Sequence, residues 1–187
     1  MEELEFLQRI VSETARMSYP GRFGGKLRGG AKKAIEAYFE REYPAKLQGQ
    51  IVDYDVWHRK RVEQLSHFIE DENYRQDNND TSFALSAKLV NTFMHQLIKY
   101  GRFRYLYESL HLPLDRTVFQ RFLRREYSHN ELRNLVRAFA NRPYQFEPET
   151  YVQIQEKLME VVGYFNANVL PENCQICSRI DLNCLLW

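Results

Sequence analysis

The spacing of apolar residues predicts helices along most of the chain. In residues 2–17 they recur every three or four positions, at Leu4, Leu7, Val11 and Ala15. Pro20 and Gly21 end that pattern. Residues 31–43 predict a second helix that ends before Pro44, because the residue preceding a proline disfavours helical backbone angles.

The middle of the chain predicts two further helices around a polar segment. The third carries the apolar residues Trp57, Val62, Leu65 and Ile69. The stretch "EDENYRQDNNDTS" then predicts a mobile surface loop, since it is nearly free of apolar residues. Thr81 or Ser82 can cap the fourth helix, which contains residues 87–101.

The last third of the chain predicts shorter helices with clear boundary signals. One runs from Asp115 to about residue 127, and a capping box formed by Ser128 and Glu131 opens the next. Pro143 closes that helix, Pro148 opens another, and residues 179–187 predict a short final helix.

These patterns predict an all-α fold with little or no sheet. The only strand-like stretch, "QIVDYDVW", is too short and isolated to support one. We expect a single compact multi-helical domain, residues 1–187, with about six to eight helices.

The stretch "AKLVNTFMHQLIKYG", residues 87–101, carries a polar stripe opposite its apolar face. At 100° per residue the stripe contains Lys88, Asn91, Thr92, His95 and Lys99, and it has no carboxylate. Donors without acceptors suit an anionic ligand such as phosphate. Acids from a neighbouring element, for example residues 63–80, could instead cover the stripe.

The glycine-rich loop "PGRFGGKLRGG" is a second candidate for phosphate contact. Arg22, Lys26 and Arg28 lie among glycines that allow backbone amides to approach an anion. The loop is not a Walker A motif, since Pro20 and Leu27 stand where that motif needs Gly and Ser or Thr. We interpret the loop either as a contact to a nucleic-acid backbone or as a solvated connector between two helices.

Charge is segregated along the chain although the net charge is +1. Residues 102–142 contain nine Arg, including a predicted stripe at Arg121, Arg124 and Arg125, while residues 63–80 are strongly acidic. Guanidinium groups suit phosphate oxygens well. The main hypothesis is therefore a nucleic-acid-associated protein that binds the phosphate backbone of DNA or RNA at its basic segments.

Two other functions remain open from the residues. Arg61 and His67 have the Arg-to-His spacing of a class of metal-independent helical ribonucleases, and they would serve as a general acid/base and phosphate-binding pair. Alternatively, the chain is an accessory subunit whose acidic segment or "CLLW" end meets a protein partner or a second copy. His111 fits a buried, hydrogen-bonded histidine as well as a catalytic one, and no catalytic motif can be assembled.

The cysteines and the hydropathy pattern indicate the cellular compartment of the protein. Cys174, Cys177 and Cys184 are more plausible as small core residues than as metal ligands, so we expect no metal and no cofactor. No apolar run is long enough to cross a membrane, and an odd number of clustered cysteines favours a reducing compartment, which predicts a cytoplasmic protein.

Overall fold

The computed structural model describes residues 2–19, 26–77, 79–124 and 130–182. In these ranges the chain forms seven α-helices: α1 Glu2–Ser18, α2 Ala31–Lys46, α3 Tyr54–Asp71, α4 Ser82–Leu97, α5 Arg116–Arg124, α6 Asn130–Arg137 and α7 Pro148–Asn168. Three 3₁₀ segments lie at Gly101–Ser109, Glu172–Cys174 and Arg179–Asp181. Within the described ranges there is no strand beyond an isolated bridge between Leu27 and Arg75, so the all-α prediction is confirmed.

Helix α4 lies at the centre of the fold. It packs against α1 and α3 and also contacts α7, while α1 packs on α2 and α5 packs on α6. Most of its residues are buried, including polar ones such as Ser86 and Asn91. A helix covered on nearly all sides is an interior element, which explains why α4 has so few charged side chains.

Helix boundaries follow local capping chemistry. The Asp53 side chain accepts a hydrogen bond from Val56 N at 3.0 Å, so α3 begins within the strand-like stretch. Thr81 caps α4 in the same way through Ala84 N at 3.1 Å, as predicted. Pro148 lies at the start of α7, where a missing N–H costs nothing.

The predicted end of α2 before Pro44 is wrong. The helix continues to Lys46, and Leu47 N still donates to Tyr43 O at 3.0 Å. Pro44 lies in the last turn, where it removes a single helical hydrogen bond, and its ring is buried with Tyr43. Burial of these side chains therefore outweighs the loss of one bond.

The polar segment after α3, which was expected to be a mobile loop, makes hydrogen bonds to the basic loop at Tyr74 and Gln76. Arg28 N donates to Tyr74 O at 2.7 Å and Gln76 N donates to Lys26 O at 3.0 Å. Lys26 Nζ also lies 3.0 Å from Asp80 Oδ2. The basic loop and the acidic segment are thus joined by backbone hydrogen bonds and an ion pair.

None of the helices in the described ranges has the length and apolar character needed to cross a bilayer. The Ser128–Glu131 capping box involves residues outside the described ranges, as does most of the predicted helix at residues 179–187.

Candidate functional site

The polar stripe of α4 turns largely towards the protein interior. Asn91, one of the predicted phosphate-binding residues, is only 1% exposed. Thr92 Oγ1 donates to Lys88 O at 2.8 Å, which satisfies it within the helix. Lys99 is exposed and donates to Gln96. The acceptors that Thr92 and Lys99 meet are therefore on α4 itself.

Lys88 forms a polar contact with the segment before α5. Its Nζ donates to Asp115 Oδ2 and to the Tyr144 hydroxyl, both at 3.0 Å. Asp115 Oδ1 also accepts from Val118 N at 2.9 Å at the start of α5. Lys88 therefore fixes the start of α5 on α4. The positive charge of Lys88, which was predicted to bind phosphate, is paired with Asp115 inside the protein.

Asn91 links three elements through its amide. Its Nδ2 donates to the Tyr151 hydroxyl of α7 at 2.9 Å and lies 3.4 Å from Leu112 O. Its Oδ1 lies 2.7 Å from His58 Nε2 of α3. A carbonyl oxygen can only accept, so His58 carries its proton on Nε2 in this arrangement. The lone pair of His58 is then on Nδ1.

A second histidine continues the same chain of hydrogen bonds. His111 Nε2 lies 2.7 Å from Asp55 Oδ1, and His111 Nδ1 lies 2.8 Å from the Tyr151 hydroxyl. Since an ionised carboxylate only accepts, His111 donates from Nε2 and its Nδ1 accepts from Tyr151. The hydrogen bonds therefore connect Asp55 through His111, Tyr151 and Asn91 to His58.

Burial and hydrogen bonding set the protonation of these groups. Desolvation lowers the pKa of His58 well below its usual value, and the neighbouring His111 lowers it further. Desolvation also lowers the pKa of His111, although Asp55 opposes this. The hydrogen bond from His111 lowers the pKa of Asp55, and burial raises that of Tyr151. At neutral pH both histidines are thus neutral, Asp55 is ionised and Tyr151 keeps its proton.

These groups line a cavity of about 160 Å³ between α3, α4 and α7, which we call the histidine cavity. Its polar wall consists of Asp55, His58, His111, Tyr151, Gln155 and Arg179. Its apolar wall consists of Phe83, Pro148 and Val152. The exposed residues Arg59 and Glu156 complete the lining. A concave site that combines an apolar wall with convergent polar groups is a usual form of a small-molecule site.

The helices position this wall by ordinary periodicity. Asp55 and His58 are three residues apart on α3, so they lie on the same face. The rings of His58 and Tyr151 stack with centroids 5.7 Å apart and planes 8° apart. Gln155, one turn after Tyr151, exchanges two hydrogen bonds with the backbone of Leu112 at 2.9 and 3.1 Å. That exchange fixes the loop that carries His111.

His95 lies beside this network without joining it. Burial lowers its pKa to about 4, and a hydrogen bond to the backbone of His111 opposes the shift. Its Nε2 is buried and has no hydrogen-bond partner among the described residues. A neutral, partly buried imidazole supplies no positive charge for the predicted contact with phosphate.

The other predicted phosphate-binding residues are distributed over separate elements. Lys26 pairs with Asp80, and Arg28 Nε donates to Arg75 O at 3.0 Å. Arg121 and Arg124 lie near the end of α5, where Arg124 is exposed. Arg22 and Arg125 lie outside the described residues. Lys26 and Lys88 both lie over the Tyr144 ring, 5.6 and 5.5 Å from its centroid, so these two lysines do approach one residue.

The alternative ribonuclease pair, Arg61 and His67, does not share one site. Arg61 is 8% exposed and lies over the Trp57 ring at 5.7 Å from its centroid. His67 is exposed and lines a separate acidic groove with Glu63 and Glu70. Six residues along a helix correspond to about 240°, so the two side chains leave α3 on different sides.

The C-terminal cysteines give no metal site in the part of the chain that is described. Cys174 and Cys177 are exposed free thiols, so the prediction that they act as core residues is wrong for both. Among the described residues, no group of three or more His, Cys, Asp and Glu side chains is arranged to hold a metal ion.

Most residues of the histidine cavity have no signal in the sequence that marks them as a site. The sequence is compatible with a buried, hydrogen-bonded His111, which the structure shows, but it indicates no role for Tyr151 or Arg179. The one local signal is the Asp55–His58 pair on a single helical face. Arg179 joins the cavity from the far end of the chain, and no local pattern indicates that contact.

Comparison with protein-family models, with curated proteins and with solved structures gives no match for this chain.

Proposed function

We propose that this protein is an enzyme that moves a proton to or from a small substrate in the histidine cavity. The observation that carries the proposal is the directed chain of hydrogen bonds from Asp55 through His111, Tyr151 and Asn91 to His58. Each donor in that chain meets one acceptor, so the tautomers of both histidines follow from the geometry. Ordered networks of this kind hold catalytic groups in one orientation.

His58 is the general base in this proposal. Asn91 binds its Nε2–H, which leaves the Nδ1 lone pair for a substrate proton. Burial lowers the pKa of His58, so its Nδ1 is unprotonated at neutral pH and has a reduced affinity for a proton. His111 and Asp55 are positioning residues, because His111 uses both nitrogens within the protein and holds Tyr151 in place.

A panel of activated substrates tests the proposal with variants of single histidines. The panel contains p-nitrophenyl acetate, p-nitrophenyl phosphate, bis-p-nitrophenyl phosphate and single-stranded RNA. His58→Gln removes the base and keeps an amide that can donate to Asn91. His67→Gln is the matched control, since it changes an exposed histidine of the same helix. We expect turnover of at least one substrate to fall 100-fold or more in His58→Gln and to persist in His67→Gln.

Other outcomes separate the alternatives. Loss of RNA cleavage in His67→Gln alone would assign catalysis to the Arg61–His67 pair. Equal turnover in the wild type and His58→Gln, with circular dichroism showing both folded, would refute the role of the histidine cavity.

A second candidate function is binding of a nucleic-acid backbone at α5 and α6. These two helices pack against each other, and Arg133 Nη2 of α6 donates to Leu123 O of α5 at 3.3 Å. Their sequences hold five arginines against Glu131 as the single acid, and both Arg124 and Arg137 are exposed. This density of guanidinium groups supports contact with phosphates in DNA or RNA, and a cytoplasmic location remains part of that proposal.

Fluorescence anisotropy with a labelled single strand tests this second function. The variant combines Arg121→Gln, Arg124→Gln and Arg137→Gln, and the control combines Arg9→Gln with Arg41→Gln on α1 and α2. We expect the first variant to lose affinity and to lower the slope of log K against log salt by about 0.7 per phosphate contact removed. Equal affinity and slope in the two variants would exclude α5 and α6 as the binding surface.

A further inference from the structure

The segment after α7 folds back and delivers one arginine to the histidine cavity. We call residues 172–182 the C-terminal strap. Asn166 of α7 holds it by accepting from Ile176 N at 2.9 Å and donating to Ile176 O at 2.6 Å. Ser178 and Asp181 form a capping box around the Arg179–Asp181 turn, and Tyr107 donates to Asp181 from the 3₁₀ segment. Arg179 thus sits on a turn fixed from two sides.

Arg179 lines the cavity without an ion pair inside the described chain. Its Nε is buried and has no hydrogen-bond partner among the described residues. Asp55 also lines the cavity, and its Oδ1 accepts from His111; the hydrogen bond from His111 and, more weakly, the charge of Arg179 lower the pKa of Asp55, although the two side chains form no ion pair. A buried guanidinium nitrogen without a partner is costly, and an anionic group in the cavity would satisfy it.

The remaining walls limit the size and polarity of the ligand. Phe83, Pro148 and Val152 offer an apolar surface opposite the polar groups. The cavity volume of about 160 Å³ is close to that of an engineered protein cavity that binds benzene. An anion with a body of about the size of one aromatic ring therefore fits both walls.

We propose that the substrate of the histidine cavity is a small organic anion, a carboxylate or a phosphate with an apolar body, whose anionic group binds Arg179. This inference rests on the proposed enzymatic function and names its substrate class. The guanidinium fork pairs with two oxygens of the anion, while the apolar body packs on Phe83 and Val152. Binding in this orientation brings the substrate next to His58.

Three probes of one size test the charge requirement. Benzoate and phenyl phosphate carry the anion on a phenyl ring, and benzamide is the neutral counterpart of benzoate. Binding is followed by chemical shifts of the Val152 methyl groups in heteronuclear NMR spectra. We expect at least one anion to bind tenfold or more tightly than benzamide, which corresponds to about 1.4 kcal/mol. Tighter binding of benzoate assigns a carboxylate substrate, and tighter binding of phenyl phosphate assigns a phosphate.

Variants identify the groups that bind the anion. Arg179→Met should weaken binding of the anions at least tenfold and leave the affinity for benzamide unchanged. The control, Arg104→Met, changes an exposed arginine of the Gly101–Ser109 segment and should alter neither affinity. Val152→Trp should block all three probes by filling the cavity. Met159→Trp, two turns further along α7, should block none.

The results for this inference and for the enzymatic function are separable. Benzoate binding that depends on Arg179, without turnover that depends on His58, would sustain the anion site and overturn the proposed reaction. Turnover that depends on His58, with no preference for an anion, would overturn the anion site alone. Equal anion affinity in the wild type and Arg179→Met also overturns it.

Discussion

Asn91→Ala is expected to destabilise the fold strongly, although Asn91 belongs to the polar stripe of α4. The substitution leaves two buried groups without their partners, His58 Nε2 and the Tyr151 hydroxyl oxygen, which Asn91 meets at 2.7 and 2.9 Å. An unsatisfied buried polar group costs about 1 to 3 kcal/mol. Two such groups give a loss of about 4 kcal/mol, a large part of the roughly 5 to 15 kcal/mol that stabilises a typical domain.

Urea unfolding followed by circular dichroism measures this loss. The matched control is Lys99→Ala, two turns along the same stripe, where the side chain is exposed and the expected change is within about 0.5 kcal/mol. Tyr151→Phe removes one hydroxyl from the same network and should cost about 1 to 2 kcal/mol. If Asn91→Ala lowers the free energy of unfolding by less than about 1 kcal/mol at an unchanged m-value, the hydrogen-bond network does not organise the interior as described.

Three further outcomes follow from the same geometry. Lys88→Met should lower the free energy of unfolding by about 2 kcal/mol, because Asp115 and Tyr144 lose their shared donor; an unchanged urea midpoint would contradict this. Burial lowers the pKa values of His58, His95 and His111 in the folded state, and that of His95 to about 4. As the pH falls below about 6.5, these histidines are therefore protonated in the unfolded chain before they are protonated in the folded protein. The urea midpoint should therefore decrease from pH 7 towards pH 4, and it should decrease less steeply in His95→Gln. A midpoint that rises as the pH falls would contradict this prediction. Tyr107→Phe should speed hydrogen exchange of residues 172–182 without affecting α1, and equal exchange would show that the contact with Asp181 does not hold the C-terminal strap.

Local sequence signals predict the helices because helices are local structures. The cap at Thr81 and the proline at the start of α7 lie where the sequence places them. The error at Pro44 has a tertiary cause, since packing of the last turn of α2 outweighs a local breaker signal.

The candidate site could not be predicted in the same way, because its contacts are distant in sequence. Periodicity correctly groups Lys88 with Asn91, but it cannot tell whether another element covers that face. The covering partners are Asp115, Tyr144 and Tyr151, between 27 and 60 residues away. A stripe of donors without acids therefore has two explanations, an external anion or acceptors from distant segments. For Lys88 and Asn91 the second explanation holds.

The histidine tautomers test the central claim most directly. Long-range ¹H–¹⁵N NMR spectra of the imidazole rings at pH 7 distinguish the charged form and the two neutral tautomers. The directed chain of hydrogen bonds predicts that His58 and His111 are both neutral and both protonated at Nε2. Protonation of His58 at Nδ1, or an imidazolium at His58, would contradict the account, since the lone pair assigned to the substrate proton would then be absent.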